Sequence, residues 1–198
     1  MGLSLENSEG QTPLNDEQME GLLIPTIATR GDLDEFEQQN IEQAILWTMS
    51  RSFKSESILT EDFIRMVHKR MYGDVWAWAG EFRKTNTSIG IDKWQIPTQL
   101  RILLDDTKHW IGNKTYPPDE IAVRFKHRIV SIHCFLNGNG RHSRLMADII
   151  IEKIFKRPIF SWGAASLINH GRLRTDYLSA IRKADAGVIE ELIVFARS

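Results

Sequence analysis

Residues 133–151 read HCFLNGNGRHSRLMADIII. Two glycines, Gly138 and Gly140, alternate with Asn137 and Asn139, and apolar segments with helical spacing lie on both sides. Such a turn cannot continue a helix, so the chain must end one helix at His133, reverse, and start another just after Gly138. Glycines cost backbone entropy on folding, and a bound group at the turn would offset that cost. The flanks indicate which group. A helix start offers unpaired N–H groups and partial positive charge, glycines let the backbone curl into an anion-binding nest, and Arg141 and Arg144 lie three apart on one face of the emerging helix. Guanidinium groups suit phosphate oxygens. An imidazole at the edge of such a cradle can take a proton from a nucleophile near neutral pH, which makes His133 a candidate base.

The rest of the chain reads as helices. Residues 1–13 read as a loose polar arm, and LNDEQMEGLLIP as a short helix ending near Gly21 or Pro25. DLDEFEQQNIEQAILWTMSR predicts a long helix with Asp32 as N-cap, and LTEDFIRMVHKRMYG one capped by Thr60 and stopped at Gly73. The stretch Phe82–Ile96 is rich in β-branched and aromatic residues and carries Gly90, which predicts a short β-hairpin. Helices resume over TQLRILLDDTKHWIG, PPDEIAVRFKHRIVSIH, NGRHSRLMADIIIEKIF, AASLINH, RLRTDYLSAIRKADAG and VIEELIVFA. The fold class is therefore mainly α, with a single short hairpin.

Composition narrows the function classes. The 198 residues are 42% hydrophobic, enough for one sizeable core. With 25 basic against 26 acidic residues the formal net charge is −1, so the chain lacks the basic field that non-specific nucleic-acid binding needs, and no nucleic-acid partner is expected. One cysteine, Cys134, excludes an internal disulfide and a multi-cysteine zinc site, and His109, His127 and His142 have no metal-ligand spacing with it. No signal-like start and no membrane-length apolar run is present, so a cytoplasmic protein without membrane attachment is expected. Lys126, His127 and Arg128 read as a solvated helix face, and Trp76, Trp78, Trp94 and Trp110 as core or hairpin packing.

HCFLNGNGRHSR resembles the signature of the Fic/Doc family: His, any, Phe, any, Asp or Glu, Gly-Asn-Gly-Arg, any two, Arg. Seven of its eight specified positions match, namely His133, Phe135, Gly138, Asn139, Gly140, Arg141 and Arg144; the eighth holds Asn137. WAGEFR is similar to the family's lead into its flap, and YLSAIRKADAG to its C-terminal helix. The resemblance implies an arm and short helix over 1–28 and a Fic-like domain over 29–198, with the flap at about 82–96 and the motif loop at 133–144. The N-terminal segment TPLNDEQMEGLLIPTIATRGDLDEFEQQNI is similar to the bacterial branch called mobile mystery protein B.

That resemblance implies a protein adenylyltransferase, possessing a toxin-like activity, that moves AMP from ATP to a target hydroxyl. His133 would be the general base; Gly138, Asn139 and Gly140 would hold the α- and β-phosphates; Arg141 would bind the β-phosphate side and Arg144 the γ-phosphate. Mg²⁺ would arrive with ATP, with Asn137 as its weak ligand in place of the family's carboxylate. The target protein would dock on the flap hairpin by β-augmentation. The branch implies a co-encoded helix-turn-helix or antitoxin-like partner. Inhibition from within would fall to Glu42 of QQNIEQ, pairing with Arg144. The alternatives are a degenerate Fic fold that binds nucleotide or a partner protein without transfer, or an enzyme that transfers another phosphate-linked group.

Overall fold

A computed structural model describes residues 19–163 and 170–198. The expected arm, most of the short helix from Leu14, and the helix at AASLINH before His170 lie outside the described residues.

The long first helix, α1, spans Arg30–Ser50. Its cap is Thr29, not Asp32. The Thr29 hydroxyl accepts from the Asp32 N–H at 3.1 Å, and the Asp32 carboxylate accepts from the Thr29 N–H at 2.9 Å. The reciprocal pair sets the start three residues earlier than the acidic run indicates. A one-turn helix, α2 (Ser55–Ile58), precedes α3 (Glu61–Tyr72). Thr60 caps α3 through the Phe63 N–H at 3.2 Å and Gly73 closes it, as its sequence predicts. Then come α4 (Ile96–Asn113), α5 (Pro118–Ile132), α6 (Asn139–Ile149), α7 (His170–Asp185) and α8 (Glu190–Arg197). A wide five-residue turn of π type, Ile150–Ile154, continues α6, with the Phe155 N–H reaching back to the Ile150 carbonyl.

The packing builds the molecule around the turn described above. α5 lies against α4 on one side and α6 on the other, α1 packs on α3, and α3 also touches α6. Phe125, Ile129, Phe135, Met146, Ile149 and Ile150 fill the space between them and are buried. One contact class differs from expectation. Lys126 does not sit on a solvated face: it is fully buried, and its ammonium donates to the Tyr177 hydroxyl of α7. Its neighbour His127 bonds Asp185, and Arg128 bonds Asp106.

Among the described residues there is no β-strand, so the hairpin over Phe82–Ile96 does not form. The segment is an irregular strap that ends in a short 3-10 turn, Lys93–Gln95. The reason lies in where its backbone groups bond. The Arg83 N–H donates to the Cys134 carbonyl at 3.0 Å and the Ile91 N–H to the Ile132 carbonyl at 3.5 Å, so both limbs pair with the end of α5 and not with each other. Side chains take the remaining ladder positions: the Arg83 guanidinium donates to the Thr85 carbonyl at 2.8 Å and to the Ile91 carbonyl, while Asn86 Oδ1 accepts the Lys93 N–H at 2.9 Å. Trp94 is 80% exposed and packs in neither core nor hairpin.

Candidate active site

The turn between α5 and α6 has the predicted architecture. α5 ends at His133, which adopts a left-handed backbone at φ +58°, and α6 starts after Gly138, also left-handed at φ +77°. The reversal thus places the imidazole-bearing end of one helix beside the N–H-bearing end of the next. His133 is half-buried. Burial holds its imidazole below the usual histidine range, the positive Arg83 adds to this, and a hydrogen bond to the Val130 backbone opposes it. A neutral ring at neutral pH is the state a proton acceptor needs.

The loop residues divide their work unequally. A Cβ on Gly138 would lie 2.5 Å from the Tyr72 ring, so that glycine is required by the fold itself. A Cβ on Gly140 would meet nothing within 4 Å, so space opens there at the first turn of α6. The Asn139 side chain closes the loop from within: its Oδ1 accepts the Phe135 N–H at 2.9 Å and its Nδ2 donates to the Phe135 carbonyl at 2.7 Å. Its side chain is therefore spent on the loop. Asn137 Oδ1 accepts the adjacent Gly138 N–H at 2.7 Å. A neutral oxygen already bonded in this way does not make a magnesium site, and no group of three or more His, Cys, Asp or Glu side chains among the described residues could hold a metal. The residues present thus do not fit a protein-held ion.

The two arginines part company. Arg141 Nη2 donates to Glu37 Oε2 of α1 at 2.7 Å, and Glu37 Oε1 accepts the Trp76 indole N–H at 2.7 Å. Glu37 is almost fully buried, whereas its arginine partner is partly open to solvent. Arg144 forms no ion pair among the described residues; its guanidinium lies 6.0 Å from the Tyr177 ring centre and borders a cavity of about 320 Å³ with Gln38, Leu145, Asp148 and Trp162. Glu42, expected to reach Arg144, is exposed and accepts instead from Gln38 at 2.7 Å. The carboxylate of α1 that meets a motif arginine is Glu37, and its partner is Arg141.

Three further residues hold the turn, and none carries a local sequence signal. His68 of α3 is buried; its Nδ1 accepts the Gly80 N–H at 3.0 Å, so Nε2 bears the proton and donates to the Asn137 carbonyl at 3.0 Å. Its ring stacks on Phe135 at 3.7 Å. His142, also buried, bonds the Ile64 carbonyl at 3.0 Å. Arg83 grips the strap as described. A helical stripe containing His68 reads as core, and only the fold shows that its Nε2 meets the motif loop while its Nδ1 holds the Gly80 N–H.

Residues 58–151 match the model of the Fic/DOC family, and that span contains the whole turn with α3, the strap and α6. Over these residues the chain is similar to the Fic/DOC family. Among curated relatives, a protein adenylyltransferase Fic of Drosophila grimshawi is 27% identical over 142 residues, which are 70% of this chain and 28% of that protein. The chain thus spans less than a third of that relative's length. Among solved structures, Fic-1 (residues 134–508) of C. elegans superposes with a TM-score of 0.66 at 21% identity, covering 89% of this chain and 50% of that one. The N-terminal Fic domain of a putative cell filamentation protein of Bartonella quintana, solved with bound ADP, gives 0.65 at 14% identity, covering 87% and 86%. At these identities the likeness is one of fold, and the Fic fold therefore extends beyond the matched span.

Proposed function

We propose that this protein transfers AMP from ATP to a hydroxyl side chain of a target protein. The observation that carries the reading is the juxtaposition at one turn of a left-handed His133 and the open, N–H-bearing first turn of α6 at Gly140. ATP would lie with its phosphates against that turn, held by backbone N–H groups and by Arg144. The target oxygen attacks the α-phosphorus as His133 takes the hydroxyl proton; the new O–P bond forms, the bond to the β-phosphate oxygen breaks, and pyrophosphate leaves. Positioning and charge stabilisation dominate such transfers. The relatives named adenylyltransferases and the ADP-bound Bartonella domain support this choice of nucleotide.

The strap would present the target, since its exposed Ile89 and Trp94 lie on the segment pinned to His133. In the same reading the protein is a cytoplasmic, toxin-like member of the mobile mystery protein B branch, opposed by a co-encoded antitoxin-like partner. The test is incubation of the full chain with ATP labelled on the α-phosphate and a cell lysate. Label should enter protein with wild type and be absent with His133→Ala, while both bind ATP in calorimetry; equal labelling by the variant removes His133 from the role of base.

A second reading is favoured by two observations. Asn137 is neutral, and Arg141 is committed to Glu37. A site so arranged would bind nucleotide without transferring it. ATP binding with no label transfer by wild type at any Mg²⁺ concentration selects this reading.

A further inference from the structure

Arg83 is 4% exposed, an uncommon burial for a guanidinium, and it lies directly beneath the end of α5. Its Nε donates to the His133 carbonyl at 2.7 Å, Nη1 to the Thr85 carbonyl at 2.8 Å, and Nη2 to the Ile91 carbonyl. Its own backbone N–H bonds the Cys134 carbonyl. One side chain therefore ties both limbs of the strap to His133. The fit is close: a Cβ on Gly90, itself left-handed at φ +101°, would lie 2.5 Å from His133 Cβ and 3.3 Å from Arg83 Nη2. A residue serving only to cover the core would not need three carbonyls from two segments converging on a full positive charge, one of them that of His133.

We propose that Arg83 is the positioning residue for His133: it fixes the imidazole by holding the His133 carbonyl and the strap in one grip. A fixed positive charge beside the ring also disfavours a second one on it. The proposal rests on the reading of His133 as base. The other charged or titratable groups around the ring do not substitute for Arg83. From the strap, Asp92 stands behind Arg83 with its carboxylate bonded to the Trp94 N–H and the Asn86 amide. The neighbouring Cys134 thiol is buried, and burial pushes it up to about 12, so it is uncharged. From α3, on the far side of Phe135, the buried His68 is held neutral. Of the motif arginines, Arg141 bonds Glu37 and Arg144 borders Tyr177. The direction found for His133 agrees, with burial first and Arg83 second among its causes.

The test is an NMR titration of the His133 ring in the full chain without substrate, in wild type, Arg83→Gln and Arg83→Lys. In wild type the midpoint should lie below the ordinary 6.5. It should rise by about half a pH unit or more in Arg83→Gln and stay near the wild-type value in Arg83→Lys, which keeps the charge but lacks the planar fork that reaches the three carbonyls. In label transfer, the acid limb of the pH–rate profile should move to higher pH by the same amount in Arg83→Gln. Arg83→Lys should be slower at every pH with an unshifted limb. A wild-type midpoint at or above 6.5, or the same midpoint in folded Arg83→Gln as in wild type, overturns the proposal. If the Gln variant does not fold, an Arg83→Lys midpoint at or above the ordinary value overturns it. The ring titration needs no turnover, so a protein without transferase activity would fail the functional reading and still decide the role of Arg83.

Discussion

The two glycines of the motif loop look alike in sequence and do different work. Gly138 is needed by its neighbour: its left-handed backbone and the Tyr72 ring leave no room for a side chain. Gly138→Ala should therefore destabilise the fold by at least about 2 kcal/mol in chemical denaturation. Gly140 meets nothing within 4 Å and lies in a helix, where alanine is intrinsically better. Gly140→Ala should leave stability unchanged or raise it by up to about 1 kcal/mol, yet weaken ATP binding, because the methyl group fills the space the phosphates would use. Equal ATP affinity in calorimetry would show that the phosphates lie elsewhere. Asn137 supplies the third prediction at this scale. An aspartate there can still accept the Gly138 N–H, and it adds a charged oxygen that Mg²⁺ prefers. Asn137→Asp should lower the Mg²⁺ midpoint of the labelling rate and speed transfer, with stability little changed. An unmoved midpoint would mean that Mg²⁺ is carried by the nucleotide phosphates alone.

Between elements, the latch from α1 to α6 is a single carboxylate. Glu37 is shared by Arg141 and the Trp76 indole, and it is almost fully buried. Glu37→Ala should cost about 2 kcal/mol, less than a fully buried pair because Arg141 is partly solvated. The same change frees Arg141, so ATP affinity should rise; Glu42→Gly, on the exposed side of the helix, should alter neither. Thermal melts and calorimetry on the two variants separate these outcomes. Elements also mark how far sequence could be read. The motif turn was legible because its residues are contiguous, and α3 because Thr60 and Gly73 signal its ends locally. Glu37 was not, since its partner Arg141 stands 104 residues away and nothing near Glu37 distinguishes it from the acidic residues around it. The strap misled for a physical reason: β-branched residues favour extended backbone, but they do not say which backbone pairs with it, and here the partner is the end of α5.

At the scale of the whole molecule, the response to acid follows from groups the core holds in one protonation state. His142 is depressed to about 4 by burial, and burial takes His68 well below the ordinary value. The unfolded chain protonates such histidines first, so their contribution is intact above pH 6.5 and is lost as pH falls below it. For His142 alone this is about 2 kcal/mol by pH 5. Asp148 acts in the opposite sense. Burial raises it from 3.8 to about 7, against the Phe160 and Trp162 hydrogen bonds, so the folded state holds the proton first. Its contribution is full below 3.8 and is lost as pH rises through about 7. The two trends cancel in part between pH 7 and 5. Asp148→Asn removes the counterweight, so its melting temperature should fall more steeply than that of wild type over this range. Parallel melting curves would show that Asp148 is ionised in the folded protein.

The bond from the Gly138 N–H to the side chain of Asn137 also bears on how the protein ages. An asparagine followed by glycine loses ammonia when the next backbone nitrogen closes onto its side-chain carbonyl, and hydrolysis of the ring leaves aspartate or its isomer. Asn139 also precedes a glycine, but both ends of its amide are held by Phe135. Asn137 instead rests its amide oxygen on the very nitrogen that would attack. Stored preparations should therefore accumulate the acidic form at Asn137 before Asn139, and with it the carboxylate that the Fic signature specifies at that position. Peptide mapping of aged and fresh protein, set beside their dependence on Mg²⁺, would follow both changes together.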